Sequence, residues 1–537
     1  MIFKVNARVK YILFFFIIVI PFLVKSQSVT VAPWSMDESI RNMQLKGLLS
    51  SDYTLQIRPF HFSKKFTSDS LYNLISSSSD KPIHDLSFTF LKNAGKITLF
   101  PLTTFSKYTS HHPYGWNDGA LIPAKGLQSL FSTGFFTEIG PLSIQLLPEY
   151  LNSVNPHYEI TKSFGSTPTG VYKKFYWGQS SIRLNGGHVS LGVSSENLWW
   201  GPGKYSSLMM SNNAPGFLHF SFNSRRPLRT QVGSFEWQLI GGRLNDETNI
   251  DMPVETNNLR SYRNIFGSNS IYYGDWKYIN AMVFTYQPIF LKGVSIGFSR
   301  QFSGLSKSVL SDLKNPGIFN KYLPVFGKLF KSKLESDDSR QWNQLANIFF
   351  KTVFQKSHAE FYIDYGWNDH SYNIRDFLMN PTHSSSFIAG AQKSIELKKS
   401  VWFNISAEIT HMEQTPDYLV RWAGSWYEHY QGTGYSNANQ ILGVGAGFGS
   451  NSQVLSGCLE KGYKKVGVLL ERVQREPNTH KARWDDLSYG FIGQHRFKNI
   501  LIGYRASIIN SRNYGWKQNV NRFNFFGSLS LNYRWNN

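Results

Sequence analysis

From about Gly95 to the C-terminus, apolar residues recur at every second position in one stretch after another. Val401, Phe403, Ile405, Ala407 and Ile409 alternate with Trp402, Asn404, Ser406, Glu408 and Thr410. Ala359, Phe361, Ile363 and Tyr365 alternate with His358, Glu360, Tyr362 and Asp364. Leu142, Ile144 and Leu146, and Val294, Ile296 and Phe298, repeat the pattern. Side chains of a strand point alternately to opposite faces, so this period means β-structure with two unlike faces. Gly186-Gly187 supplies a two-residue hairpin turn, with Leu184 opposite Val189 and Ile182 opposite Leu191. The last strand is the clearest. Phe523, Phe525, Leu529, Leu531, Tyr533 and Trp535 fall on one face, and Arg522, Asn524, Ser528, Ser530, Asn532 and Arg534 on the other. No repeat of fixed period is visible, which disfavours propellers and solenoids.

Two kinds of protein share this alternation, a soluble sandwich and a membrane barrel. The N-terminus and the composition separate them. Lys4, Arg8 and Lys10 precede an apolar run from Tyr11 to Val24, and Val24-Lys25-Ser26 offers a cleavage point. This is the pattern of a secretory signal peptide over 1–26, with the mature chain starting at Gln27. The run is too short for a spanning helix, which needs about 20 residues. Aromatics make up 16% of the chain, yet mean hydropathy is only −0.30. A transmembrane barrel needs that mixture, because lipid-facing and lumen-facing residues alternate and aromatics girdle both interfaces.

Residues 27–94 read as a periplasmic N-terminal segment. Ser35 and Glu38 have capping-box spacing, Ile40 and Met43 follow at helical spacing, and Gly47 can end the helix. The barrel is assigned to 95–537. A partly helical insertion is expected over 303–350, where Leu323, Phe326, Leu329 and Phe330 have helical spacing among lysines.

Little in the chain suggests chemistry. There is no phosphate-binding loop, nucleophile elbow or metal-ligand set, so neither metal nor cofactor is expected. His111-His112, the carboxylates Asp364, Asp369 and Asp376, and Ser206-Ser207 form no ordered site in sequence. Cys458 is the only cysteine, so no intrachain disulfide forms. The net charge of +21 in an exported chain favours acidic polysaccharide or lipopolysaccharide phosphates over nucleic acid as a partner. Basic residues lining a lumen and the headgroup zones account for the charge equally well. Aromatic clusters are the better candidates: Trp422, Trp426, Tyr427 and Tyr430 lie together beyond a strand. Trp116-Asn117-Asp118 and Trp367-Asn368-Asp369 repeat an aromatic–polar unit. Such clusters suit sugar rings, although an interfacial belt explains single aromatics as well.

One stretch stands apart. Glu196-Asn197-Leu198-Trp199-Trp200-Gly201-Pro202-Gly203, followed by Ser211-Asn212-Asn213-Ala214, resembles the Trp-Trp-Gly-Pro-Gly and Ser-Asn-Asn-Ala motif of the capsule assembly protein Wzi family. Tyr365 to Asp369 with Asn380-Pro381-Thr382-His383, and Tyr427-Glu428-His429-Tyr430 with Gly434 to Asn437, look similar too. The resemblance implies an all-β, antiparallel outer-membrane barrel of about eighteen strands with helical segments at the periplasmic side. It also implies a non-enzymatic, lectin-like role holding capsular or exopolysaccharide at the cell surface. Trp199, Trp200, Asn212 and Asn213 then join Trp422, Trp426, Tyr427 and Tyr430 as candidate glycan-binding residues. The same turn also suits a folding role for Trp199 and Trp200, which the sequence favours slightly. Outer-membrane lipid and polysaccharide export machinery are further candidate partners. Two rivals remain: a transport channel, which needs an open lumen, and a barrel hydrolase, which needs a Ser/His/Asp or paired-carboxylate cluster at one rim.

Overall fold

The computed structural model describes residues 28–535 except 33–35, 62–84, 93, 160–169, 246–275, 307–321, 327–341, 369–373, 414–425, 428–433, 448 and 478–480. The signal peptide expected over 1–26 lies outside the described residues. One antiparallel sheet of 24 strands dominates. Consecutive strands pair in a meander, and the last, Arg522–Tyr533, pairs back onto Leu102–Thr109. The sheet therefore rolls round on itself. Several short strands are halves of one bent stave: Gly95–Leu99 leads into Leu102–Thr109, and Gly126–Ser132 into Phe135–Ile139. Joined in this way, the staves come close to the eighteen expected. The sheet starts earlier than Gly95, because Ser87–Phe90 pairs with Gly95–Leu99.

The two faces are inverted relative to a soluble protein. Val466, Val468 and Leu470 are exposed, as are Ile405, Ile409, Phe361 and Ile363. Their neighbours Asn404, Ser406, Glu408, Glu360 and Asp364 are buried. Apolar side chains face outward to lipid, and polar ones face a filled interior. On the final strand and just beyond it, Phe523, Phe525, Leu529, Leu531, Tyr533 and Trp535 all point out, while Asn524, Ser530, Asn532 and Arg534 point in. Placing a charge on the outer face should be costly. Val468→Lys, mid-strand and 54% exposed, is expected to destabilise the barrel by about 2–4 kcal/mol, read as a lowered denaturant midpoint in lipid. The same change at outward-facing Val466, next to the short turn at the start of the strand Lys464–Arg475, should cost much less.

The expected hairpin forms with its turn one residue later. Gly187, at φ +55, opens the turn Gly187-His188. The pairs are therefore Gly186↔Val189, Leu184↔Leu191 and Ile182↔Val193. A two-residue turn of this kind takes its glycine at the first central position. Ile182, Leu184, Leu191 and Val193 still share the outer face, because a shift of two preserves facing.

The insertion is shorter than expected over 303–350. Val294–Leu305 and Asn343–Phe354 are barrel strands that pair with each other from Val294↔Thr352 to Ser303↔Asn343. The alternation in Asn343–Phe354 was hidden because Leu345 and Phe349 are apolar yet face inward. Between these strands the described residues include a single 3-10 turn, Pro324–Phe326; Leu329 and Phe330 lie outside them.

The described residues 36–61 of the N-terminal segment are not a separate periplasmic element. Their helix α1, Asp37–Leu45, sits inside the barrel near the short-turn end. Asn42 Nδ2 donates to Glu460 Oε2 at 3.0 Å, and Gln392 Nε2 donates to Asn42 Oδ1 at 2.6 Å. Further along, the Thr54 amide donates to Glu236 and Gln287 Nε2 to the Ser51 carbonyl. The segment is thus bound to several sides of the wall. The cap at Met36 makes no side-chain hydrogen bond, and Ser35 lies outside the described residues. At the other end the Gly47 and Leu48 amides donate to the Gln44 and Met43 carbonyls. With Gly47 at φ +77, this is a Schellman ending.

Candidate functional site: the filled lumen

The described loop residues 110–125, 195–218 and 434–447 meet inside the barrel. The stretch from Trp199 to Ala214 ties them together. Trp199–Trp200 pairs as a short strand with Ile57–Arg58. Gly201, at φ +112, donates its amide to the Gln56 carbonyl at 2.8 Å. A side chain at Gly203 would put its Cβ 1.9 Å from the Ser206 carbonyl oxygen, so the second glycine is required by a close approach. The Lys204 and Tyr205 amides donate to Glu408, which also accepts from Tyr362 Oη. A lumen-facing carboxylate therefore clasps the turn.

The asparagines staple loops to one another. Asn197 Nδ2 donates to Asn212 Oδ1 and to the Ala214 carbonyl, both at 2.7 Å. Asn212 Nδ2 donates to the Asn117 carbonyl, and Asn213 Nδ2 to the Ile441 carbonyl. Asn117 Nδ2 returns a bond to the Tyr205 carbonyl. Local amide groups are satisfied by side chains chosen for that purpose.

The sequence candidates divide accordingly. Trp200 and Tyr427 have no exposed surface, and Trp426 almost none. Trp200 Nε1 donates to Gln238 Oε1, and Tyr427 Oη donates to the Leu208 carbonyl while accepting from the Val444 amide. Tyr427 also stacks on Tyr435 with ring centroids 5.8 Å apart. These three are core, with no face open to a glycan. Asn213 is partly buried and committed to its loop bonds. Trp422 and Tyr430 lie outside the described residues. Trp199 and Asn212 are buried too, but both border an internal cavity. Of the aromatic–polar units, Trp116 and Asn117 border the same cavity, and Trp367 hydrogen-bonds the Pro381 carbonyl elsewhere.

That cavity has a volume of about 380 Å³ and lies between α1, the Trp199 loop and the strands from Asn451 to Arg512. Ion pairs frame it. Glu38 pairs with Lys204 at 3.0 Å and with Lys465. Lys46 pairs with Glu460 at 2.7 Å, and Arg505 with Glu471. Burial would raise the Glu38 carboxyl, but the ammonium groups of Lys204 and Lys465 outweigh it and hold the group well below the usual carboxylate range. A depressed folded value supplies stability that is present above the ordinary glutamate value of about 4.3 and is lost as pH falls toward the lowered one. Acidification below pH about 4 is therefore expected to loosen α1. Cys458, 3% exposed, reports this through its reaction with a disulfide reagent active in acid. Glu38→Gln should label faster at neutral pH and lose most of the acid dependence.

Sequence reasoning did not anticipate Glu38, Arg41, Arg58, Lys204 and Lys465 as a group. The available signal was the charge on inward strand positions, Glu360, Glu408, Glu460 and Glu471, which demands partners within the lumen.

One Ser/His/Asp contact does occur. Ser511 Oγ donates to Asp486 Oδ1 at 2.6 Å and lies 3.3 Å from His112 Nε2. The connectivity is not that of a hydrolytic triad, because the carboxylate engages the serine instead of orienting the imidazole. All three side chains are fully buried, and Asp486 is also held by Trp484 Nε1 and Arg475. Asp364 is buried under Gly201 and accepts from Asn347 Nδ2. Asp369 lies outside the described residues, as does the side chain of Asp376. Among the described residues, no group of three metal-ligating side chains converges.

A rolled antiparallel sheet with an apolar exterior and an interior filled by its own N-terminal segment and loops defines a plugged outer-membrane barrel. The family model of the capsule assembly protein Wzi matches residues 131–456, and the chain belongs to that family. The fold is similar to that of the Escherichia coli outer-membrane protein Wzi, described as involved in group 1 capsule assembly and as a carbohydrate-binding β-barrel. The TM-score is 0.61 at 12% identity, covering 95% of this chain and 100% of that one. OpdQ of Pseudomonas aeruginosa is more distant, at TM-score 0.37 and 9% identity over 81% of this chain and 97% of that one. No curated protein matches by sequence. The chain is an outer-membrane protein.

Proposed function

We propose that this protein holds capsular or exopolysaccharide at the cell surface, as a non-enzymatic binder. Membership of the Wzi family carries the reading, and the filled lumen supports it over a transport channel. The long-loop end, which faces outward in barrels of this class, offers a suitable surface. Lys481, Arg483 and Arg512 are exposed there beside the half-buried Trp516. Lys517 and Arg522 also lie there, paired with Glu159. Exposed cations flanking an indole suit an acidic polymer. Catalysis has no support in the geometry of Ser511, His112 and Asp486. Cleavage before Gln27, contact with lipopolysaccharide and docking to polysaccharide export machinery belong to the same proposal. Purified barrel should retain the host's own polysaccharide, and Lys481→Gln/Arg483→Gln/Arg512→Gln should weaken retention several-fold. No retention by the parent protein, together with an unchanged capsule in a deletion strain, would sink the reading.

A further inference from the structure

The ion pairs around the internal cavity leave several polar atoms of its wall unmet. Arg41 Nε pairs with Glu360, and its Nη1 donates to the Gly203 carbonyl at 3.3 Å. Arg58 Nη2 donates to that same carbonyl at 3.2 Å, and its Nη1 lies 3.7 Å from Asp37. One carbonyl thus draws two guanidinium groups together, although like charges repel. Arg41 Nη2, Arg58 Nε and Trp199 Nε1 are buried without an acceptor. All three residues border the cavity and are more than nine-tenths buried. Among the acceptors of the wall, Asn117 Oδ1 is unmet, and the Asp37 carboxylate stands beside Arg58. Buried donors without partners are uncommon in folded proteins and call for an explanation.

The cavity wall also has the other elements of a sugar site. Trp116 and Tyr205 add aromatic surface, and Asn212 and Gln494 add amides. A volume of about 380 Å³ lies within the usual range for ligand pockets, roughly 300–1,000 Å³. Adjacent guanidinium groups with free N–H bonds match a carboxylate, which accepts two parallel bonds. The cavity reaches the short-turn end. Glu460, Gly462 and Lys465 line that part of the cavity, and Lys461 and Lys464 are exposed on the turn between their strands. Short turns face the periplasm in outer-membrane barrels.

We infer that the cavity is a second saccharide site, open to the periplasmic side, which takes a pyranose unit bearing a carboxylate. This rests on the glycan-binding reading above but places contact at the opposite end from the surface loops. The barrel would then engage acidic polymer from the periplasm as well as at the cell surface. The carboxylate meets Arg41 and Arg58, and the ring lies toward Trp116 and Trp199.

The test uses the purified full barrel with three probes: a disaccharide containing glucuronic acid, its neutral counterpart with glucose, and inorganic phosphate. Binding is followed by calorimetry and by crystals soaked with each. The expected result is density for the acidic sugar in the cavity, with the neutral sugar and phosphate binding at least about tenfold more weakly. Trp199→Phe keeps the ring but removes the N–H, and should weaken acidic-sugar binding several-fold without lowering the denaturant midpoint much. Arg58→Gln should weaken it about tenfold or more. Ordered water alone in the cavity, equal binding of all three probes, or acidic-sugar binding unchanged in both variants would overturn the inference. Polymer retention on whole cells is scored alongside. Retained polymer with an empty cavity overturns only the second site, whereas loss of both overturns the glycan reading itself.

Discussion

Replacing Trp199 and Trp200 together with leucine is expected to impair barrel assembly, lowering the yield of folded protein in the membrane and the unfolding midpoint of what remains. Most of the effect comes from Trp200. Its ring is fully enclosed in the cluster that includes Leu208, Met210, Tyr427 and Val444, and its indole N–H satisfies Gln238. Truncating a buried tryptophan to alanine costs about 3–5 kcal/mol. Leucine recovers part of the volume but strands the Gln238 oxygen at further cost. Trp199 adds the pairing with Ile57–Arg58 and a cation–π contact with the Arg58 guanidinium 4.9 Å from the ring centroid. The measurement is heat-modifiable migration on gels together with denaturant unfolding in lipid. Normal assembly with lost glycan retention would instead make the pair a surface binding site, and the account of the stretch as a keystone would fail.

Glu360→Gln is the second large effect. Glu360 is fully buried between Arg41 and Lys351, and neither cation has water to replace it. Removing one partner from a buried ionic cluster costs about 3–5 kcal/mol, because uncompensated charge stays behind. Arg41 sits on α1 and Glu360 on the wall strand Ala359–Asn368, so the loss falls on the docking of α1 into the barrel. The outer belt is untouched. The expected result is a barrel that still inserts but exposes its interior, with Cys458 labelling many-fold faster at neutral pH than in the parent. An unchanged labelling rate would mean that the other bonds from α1 to the wall, those of Asn42 and Lys46 to Gln392 and Glu460, suffice to hold it.

The barrel was legible because one face of nearly every strand is apolar and the other polar. That signal survives any loop sequence. It failed at Asn343–Phe354, where the inward face carries Leu345 and Phe349. In a plugged barrel some inward residues meet core and not water, so the alternation fades there. The hairpin at Gly187 shows the usual weakness of turn placement, since two adjacent glycines both fit. Helix α1 was legible from Ile40, Met43 and Gly47, but its place was not. Nothing local tells a periplasmic helix from one inside the lumen. That information lies in Glu360, Gln392 and Glu460, which are far away in sequence and gain partners only when the barrel is assembled. The candidate site suffered from the same ambiguity. Aromatic residues mark both sugar surfaces and cores, and here Trp200, Trp426 and Tyr427 are core. Many of the residues that line the internal cavity are charged, and they are scattered along the chain.

The filled lumen is the feature that separates a binder from a channel. α1 is anchored to the walls by Lys46, Asn42 and Arg41, and the loop from Trp199 to Ala214 spans the space above it. Single-channel recording in planar bilayers tests this most directly. No steady conductance is expected from the purified barrel, and pore openings are expected once α1 is removed. A stable, porin-sized ohmic conductance from the intact protein would contradict it.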